Sequence, residues 1–446
     1  MKNSGVEWIG EIPEDWEVKR GKELFFEIND RCKNPENYPL LSVSEYYGVA
    51  PKSEKIEEGD FITHAETLDG YKICQKGDIV QNIMLAWKRA TGMSNYEGLI
   101  SPAYCIYRPY KGIDSKYYHY LFRTDVYADL FKQYSTGIID SRLRLYPAKF
   151  LSLKYAYPPK ETQQHIASYL DKKCSKIEET IQNQQQVIEK LKAYKQSLIT
   201  EAVTGKKYHE NCHTDSILLT QNSNEDMKTE IPLGISNPCG SIEFKYCNLS
   251  FIADFKNGLN YNASDFGTEV KFLGVGDFQN YLVLNDESMF SNIITDTEIE
   301  DDYYLKNGDI IFVRSNGSKE LVGRAIMVDN IDFKVTYSGF CIRLRNKEPK
   351  KINSKFLLYF FRSDYFRNEL QRLSQGSNIS NINQDLLSHI KIPLVDIRFQ
   401  ESVVDFLNKK CTAIDTAIEQ KQNLIEKLTE YKKSLIYECV IGKKEI

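Results

Sequence analysis

At 446 residues, with 41% hydrophobic and 27% charged residues, the chain is too long for one core and too apolar to stay disordered. No run approaches the roughly 18 to 20 uninterrupted apolar residues of a membrane helix, and the polar start MKNSGVEWIGEIPEDW lacks the apolar core of a signal peptide, so a soluble cytoplasmic protein is expected. The formal net charge of −4 excludes a uniformly basic surface, and ten cysteines without a CxxC pair read as reduced thiols rather than a disulfide framework.

In chain order, WEVKR (16–20) opens the first globular segment and YKICQKGDIV (71–80) reads as a turn leading into a strand. A Gly-containing loop, QNIMLAWKRATG, follows it, then YRPYKGIDSKYYHYLFRTD (107–125) and a second loop, STGIIDSRLRL. After YPPK a helix is expected to start near Thr162 and to stop at Gly205, where glycine can take a left-handed turn. Its positions Leu170, Cys174, Ile177, Ile181, Gln184, Ile188, Leu191, Lys195, Leu198 and Ala202 alternate steps of four and three, the spacing of a coiled-coil seam. At 1.5 Å per residue, roughly 43 residues give a rod of about 65 Å.

The segment 208–240 is polar, rich in Asn and Ser, and reads as a linker. It holds His209, Cys212 and His213, but three groups without a clear fourth do not make a metal site, and none is expected.

The chain then repeats. The helix KKCSKIEETIQNQQQVIEKLKAYKQSLITEAVTGKK (172–207) returns at a constant offset of 237 as KKCTAIDTAIEQKQNLIEKLTEYKKSLIYECVIGKK (409–444), identical at 20 of 36 positions without a gap. The second seam, Leu407, Cys411, Ile414, Ile418, Lys421, Ile425, Leu428, Lys432, Leu435 and Cys439, keeps even the polar interruptions of the first. Upstream the likeness is weaker: YYLKNGDIIF (303–312) answers YKICQKGDIV, and RNKEPKKINSKFLLYFFRSD (345–364) answers YRPYKGIDSKYYHYLFRTD. The expected architecture is α+β: two mixed α/β domains over 1–160 and 241–397, and two long helices over 161–207 and 398–446. The helices should form an antiparallel intramolecular coiled coil with pseudo-twofold symmetry, like a dimer fused into one chain.

The sequence carries little sign of catalysis of its own. FLGVGDF (272–278) imitates a cofactor loop, yet its first-half counterpart LLSVSEY (40–46) has serine at both glycine positions, which marks a framework turn. There is no Asn-Pro-Pro-aromatic motif, no GxxxxGK[ST] loop and no HExxH. A nuclease binding Mg²⁺ through scattered carboxylates would leave no signature and receives no support.

Taken together, GEIPEDWEVKR, the two GDI strand starts, PPKETQQHIASYLDKK and LITEAVTGK resemble the specificity subunits of type I restriction-modification enzymes, in the family's order and duplicated. The resemblance implies two target-recognition domains, each reading one half of a split double-stranded DNA sequence, and helices that dock methyltransferase subunits, two of them, together with restriction subunits. It further implies that S-adenosylmethionine, ATP and Mg²⁺ belong to those partners, which methylate adenine at N6 and cut DNA, and that this chain binds no cofactor and catalyses nothing.

Base edges are read by Arg, Lys, Asn and Gln, and two domains reading different sequences must differ where they read. The divergent loops supply Gln81, Asn82, Lys88 and Arg89, then Thr136, Ser141, Arg142 and Arg144, in the first half. In the second they supply Arg314, Asn316, Ser318, Lys319 and Arg324, then Ser377, Asn378, Ser380 and Asn381. About half of these are expected to touch DNA, mostly its backbone. The competing readings are a coiled-coil scaffold that never meets DNA, and a self-contained DNA methyltransferase.

Overall fold

In the computed structural model, which describes residues 1–32, 35–53, 68, 70–205, 245–260, 267–278, 281–296, 298–318, 320–374 and 381–446, the duplicated GDI segments are framework. Gly77 and Gly308 stand at φ 95° and 88°, left-handed backbone that a side chain resists, and each leads into a wholly buried strand, Ile79–Asn82 and Ile310–Val313. The intervening aspartates close the turns. Asp78 accepts the Gln75 amide at 2.9 Å and a two-pronged contact from Arg108 at 2.9 and 3.0 Å. Asp309 does the same with the Lys306 amide at 2.8 Å and with Arg345 at 2.8 and 2.6 Å. A buried carboxylate gripped by a fork of N–H donors fixes the turn to the neighbouring strand.

Those strands sit inside sheets of the same order. In the first half Phe25–Ile28, Tyr104–Pro109, Ile79–Asn82 and Thr91–Met93 lie side by side, all antiparallel. In the second, Ala253–Asn257, Cys341–Asn346, Ile310–Val313 and Ala325–Val328 repeat the order, and Val283–Leu284 adds a parallel edge. A two-stranded ribbon closes each half at the foot of its helix: Glu17–Arg20 with Lys154–Tyr157, and Lys245–Asn248 with Lys391–Leu394. The aromatic content is spent in the cores, as around Phe122, which meets Phe25, Tyr118, Tyr127, Phe131, Phe150 and Tyr155 with ring centroids 5.0 to 6.3 Å apart.

The PPKETQQ lead-in also acquires a physical meaning. Gln163 and Gln400, equivalent across the repeat, are both completely buried in the first turn of a long helix. Gln163 accepts the Asp114 amide at 2.9 Å and donates to the Pro158 carbonyl at 2.8 Å. Gln400 accepts the Asn353 amide at 2.9 Å and donates to the Lys351 and Val395 carbonyls at 2.9 and 2.8 Å. Asp114 and Asn353 in turn cap the helices Ser115–Phe122 and Ser354–Phe361. One amide side chain therefore fastens each long helix to the domain before it.

The long helices run over Lys160–Thr204 and Ile397–Val440, 45 and 44 residues, and each ends where expected, with Gly205 and Gly442 at φ 73° and 76°. The chain divides into two units, Met1–Gln185 with Lys421–Ile446 and Gln186–Gln420, so each unit takes part of both helices. Within the first unit Glu178 pairs with Lys432, and Lys421 donates to Gln184 at 3.1 Å, so the partner's number falls as the first rises and the strands of helix are antiparallel. Ile166, Leu170, Ile177, Leu435 and Cys439 share that unit's core. In the second unit Lys195 pairs with Asp415 at 2.6 Å, and Leu198 and Ala202 share a core with Leu407, Cys411 and Ile414. The linker 208–240, with His209, Cys212 and His213, lies outside the described residues. Among the described residues no helix is long and apolar enough to cross a membrane, and the eight cysteines form no disulfide.

Replacing Gln400 with Leu leaves the Asn353 amide and two carbonyls without this partner in a buried site, which is expected to cost about 1 to 3 kcal/mol of unfolding free energy. Denaturant titration at fixed pH reads that loss as a lower midpoint, and an unchanged midpoint contradicts the clamp.

Candidate nucleic-acid interface

The loops that the sequence singles out come together in pairs, one pair per half, and by the same bond. In the first half the Leu145 amide donates to the Ile83 carbonyl at 2.9 Å; in the second the Ile382 amide donates to the Arg314 carbonyl at 2.9 Å. The framework thus sets two loops of different sequence beside each other at equivalent places. A further bridge, Ser315 to Asn381, tightens the second pair.

In the first loop the chain turns tightly after its strand. Gln81 and Asn82, expected to read bases, are core residues instead: they belong to a strand with all four positions buried. Gln81 accepts the Tyr107 hydroxyl at 2.9 Å, and Asn82 accepts the Met84 amide at 3.1 Å, so neither side chain is presented to solvent. The loop beyond them is open. Lys88 is exposed with its ammonium 5.3 Å from the Trp87 ring, and Lys132 approaches the same ring at 4.8 Å, a doubly cationic face on one indole. Arg89 takes a left-handed backbone, φ 67°, and its guanidinium pairs with Asp125.

The second loop of this half is a pinned hairpin. Thr136 and Arg144 exchange main-chain bonds at 2.9 and 3.0 Å, Thr136 and Arg142 are exposed, and Arg144 is half-buried. The Ser141 side chain lies outside what is described. In the second half Arg314 and Arg324 are half-buried, and burial holds the Arg324 guanidinium below its ordinary pKa. Asn316 is used locally, accepting the Ser318 amide at 2.8 Å, while Ser318 and Asn381 are exposed. Lys319, Ser377, Asn378 and Ser380 lie outside the described residues.

Two further arginines, not singled out from the sequence, hold backbone beside these loops. Arg123 donates to five carbonyls: Arg89 at 2.7 Å and Thr91 at 3.1 Å in the first loop, and Ser44, Glu45 and Tyr46 at 3.4, 3.0 and 2.8 Å. Its repeat equivalent Arg362 donates to the carbonyls of Ala325 at 2.9 Å and Tyr281 at 2.6 Å. Burial, and secondarily Arg89 or Arg324 nearby, pushes each down to about 10, still cationic at neutral pH. The duplicated FRTD and FRSD (122–125 and 361–364) carry the signal that could have found them.

His119 faces the same core. Gly48 and Gly92 leave room for its ring, and its Nδ1 accepts the Met93 amide at 3.2 Å. Burial, then the charges of Arg123 and Lys116, depresses it to about 3. Beside it an open groove of about 1220 Å³ runs within the first unit, lined by charged groups including Arg89, Asp171, Glu178 and Lys432. FLGVGDF is a capped turn: Asp277 accepts the Gly274 amide at 2.7 Å and the Ser291 hydroxyl at 2.6 Å, and no positive φ demands glycine at 274 or 276. No cluster of three or more His, Cys, Asp or Glu suited to a metal occurs among the described residues.

The pH dependence follows from His119. An unfolded imidazole titrates near 6.5, so as pH falls from there toward 3 the unfolded chain takes up a proton that the folded chain refuses, and stability is lost. His119→Gln is expected to flatten this part of the acid limb in unfolding titrations between pH 7 and 4; an unchanged slope contradicts the assignment.

Comparison with known proteins adds the following. Residues 242–429 match the family described as the type I restriction modification DNA specificity domain. The chain is 26% identical over 382 residues to the StySPI type I restriction enzyme specificity subunit of Salmonella potsdam, covering 82% of this chain and 74% of that protein. It is 25% identical over 463 residues to the MjaVIII specificity subunit of Methanocaldococcus jannaschii, covering 97% and 93%. Among solved structures it is similar to a chain from a study of complex assembly and conformational transition of the type I R-M system, with a TM-score of 0.68 at 12% identity, covering 97% of this chain and all of that one. The HsdS subunit from Thermoanaerobacter tengcongensis gives 0.54 at 13% identity, covering 97% and 98%.

Proposed function

We infer that this chain, which carries the type I restriction modification DNA specificity domain, is the specificity subunit of such an enzyme: a non-catalytic reader of a bipartite DNA target. The observation that carries the reading is the duplicated pairing of loops, Leu145 to Ile83 and Ile382 to Arg314, on otherwise matching sheets. A common framework that holds different side chains at equivalent places suits two readers of two different half-sites. The scaffold alternative gives no reason for the divergence to fall in these loops.

Within this proposal 1–160 and 241–397 are the two recognition domains, 208–240 is the linker, and 161–207 and 398–446 set the spacing of the half-sites and dock partners. Lys88, Arg89, Thr136, Ser141, Arg142 and Arg144 read or grip the first half-site. Arg314, Asn316, Ser318, Lys319, Arg324, Ser377, Asn378, Ser380 and Asn381 serve the second. Partner subunits, two methyltransferase subunits and the restriction subunits, hold S-adenosylmethionine, ATP and Mg²⁺ in the cytoplasm and supply the chemistry. The net charge of −4 requires that phosphate neutralisation be local or shared with those partners.

Tethered readers gain affinity only when both half-sites are in reach. Four residues inserted into the middle of one long helix advance it about 6 Å and turn it about 40° beyond a full turn. Selection from a randomised duplex pool, with the modification partner present, is expected to return a changed gap between half-sites or no binding. An unchanged gap contradicts the helices' role as spacer. Arg142→Ala and Arg314→Ala each relax one half-site only, by about 1 to 3 kcal/mol, if the residue reads a base. Uniform weakening across all sequences would identify a phosphate contact instead.

A further inference from the structure

The hairpin that closes the first half's loop pair presents apolar side chains to water. Ile138 is 100% exposed and Ile139 53% exposed at its tip. The hairpin is nonetheless well tied. Thr136 and Arg144 exchange two main-chain bonds, Lys132 pairs with Asp140 at 3.0 Å, and Leu143 and Leu145 are buried on the return strand. The chain also passes so close to itself that a Cβ on Gly137 would lie 2.6 Å from the Arg142 carbonyl oxygen. An isoleucine held out rigidly in water is unfavourable until something covers it.

The surroundings point to what that is. Arg142 is exposed four residues along, and Lys88 and Lys132 stand over the Trp87 ring in the adjoining loop. An apolar point among cations matches a polyanion whose interior is apolar, as stacked base pairs are. In the second half the corresponding glycine, Gly376, is followed in sequence by Ser377, Asn378 and Ile379.

We propose that Ile138 is a wedge that enters the base stack of the first half-site and parts one base step beside Arg142. The first half-site is then recognised through deformability as well as base edges. Sequence preference at the parted step follows from how easily that step unstacks. This rests on the DNA-reading function proposed above.

The test uses the full chain with its modification partner and a duplex recovered by selection, carrying 2-aminopurine at successive positions of each half-site. The wild-type complex is expected to brighten the probe at one step of the first half-site. Ile138→Ser abolishes that signal and weakens binding to the intact duplex roughly tenfold, and a mismatch at the same step recovers most of the loss. Ile138→Met, which keeps an apolar point, retains the signal. Wild-type binding without any brightening overturns the wedge while leaving the DNA reading intact, as does an equal loss for Ile138→Ser on intact and mismatched duplexes. Failure of the wild-type complex to bind any duplex overturns the DNA reading itself, and the wedge with it.

Discussion

Two helices that share one heptad pattern can pair in many registers, and the polar groups along their seam restrict them to one. Glu178 with Lys432 and Asp415 with Lys195 are the same ion pair made twice, because each residue of one is the repeat equivalent of a residue in the other. Gln184 and Lys421 are themselves equivalents and bond to each other, the level at which an antiparallel pair of identical helices must meet its own counterpart. A slip by one heptad would part these partners. The exposed parts of such ion pairs add little stability, so their contribution is to specify register rather than to strengthen it.

From that register the rest can be followed outward. The apolar seam positions merge with the domain cores, where Leu435 and Cys439 join the first and Leu198 and Ala202 the second. Buried glutamines at 163 and 400 then lock each helix start to a helix cap, and the Asp–Arg forks lock each turn to its sheet. The central sheet order, the Asp–Arg forks, the buried glutamines and the long helices are duplicated. The candidate reading loops differ between the halves, and Arg123 and Arg362 hold backbone beside them. A stiff mount under a variable surface is what a reader of changing sequences requires.

Much of this was legible in the sequence because it rests on local periodicity and on repetition. The helix ends at Gly205 and Gly442, the seam positions, and the framework nature of FLGVGDF each depend on neighbours in the chain or on a counterpart at fixed offset. Gln81 and Asn82 misled because a polar residue at a strand end looks the same in sequence whether it faces water or, like Gln81, a buried tyrosine hydroxyl. Arg123 and Arg362 stayed hidden for a related reason. Their partners are main-chain carbonyls, some 77 to 81 residues distant, which any sequence provides.

Hydroxyl-radical footprinting of the chain with its modification partner on a selected duplex tests the central claim, that two separately mounted loop pairs each engage their own stretch of DNA. The account predicts two protected patches with an accessible gap between them, and loss of one patch alone when the loop residues of one half are replaced by serine. A single continuous patch, or simultaneous loss of all protection from changes in either half, would contradict it.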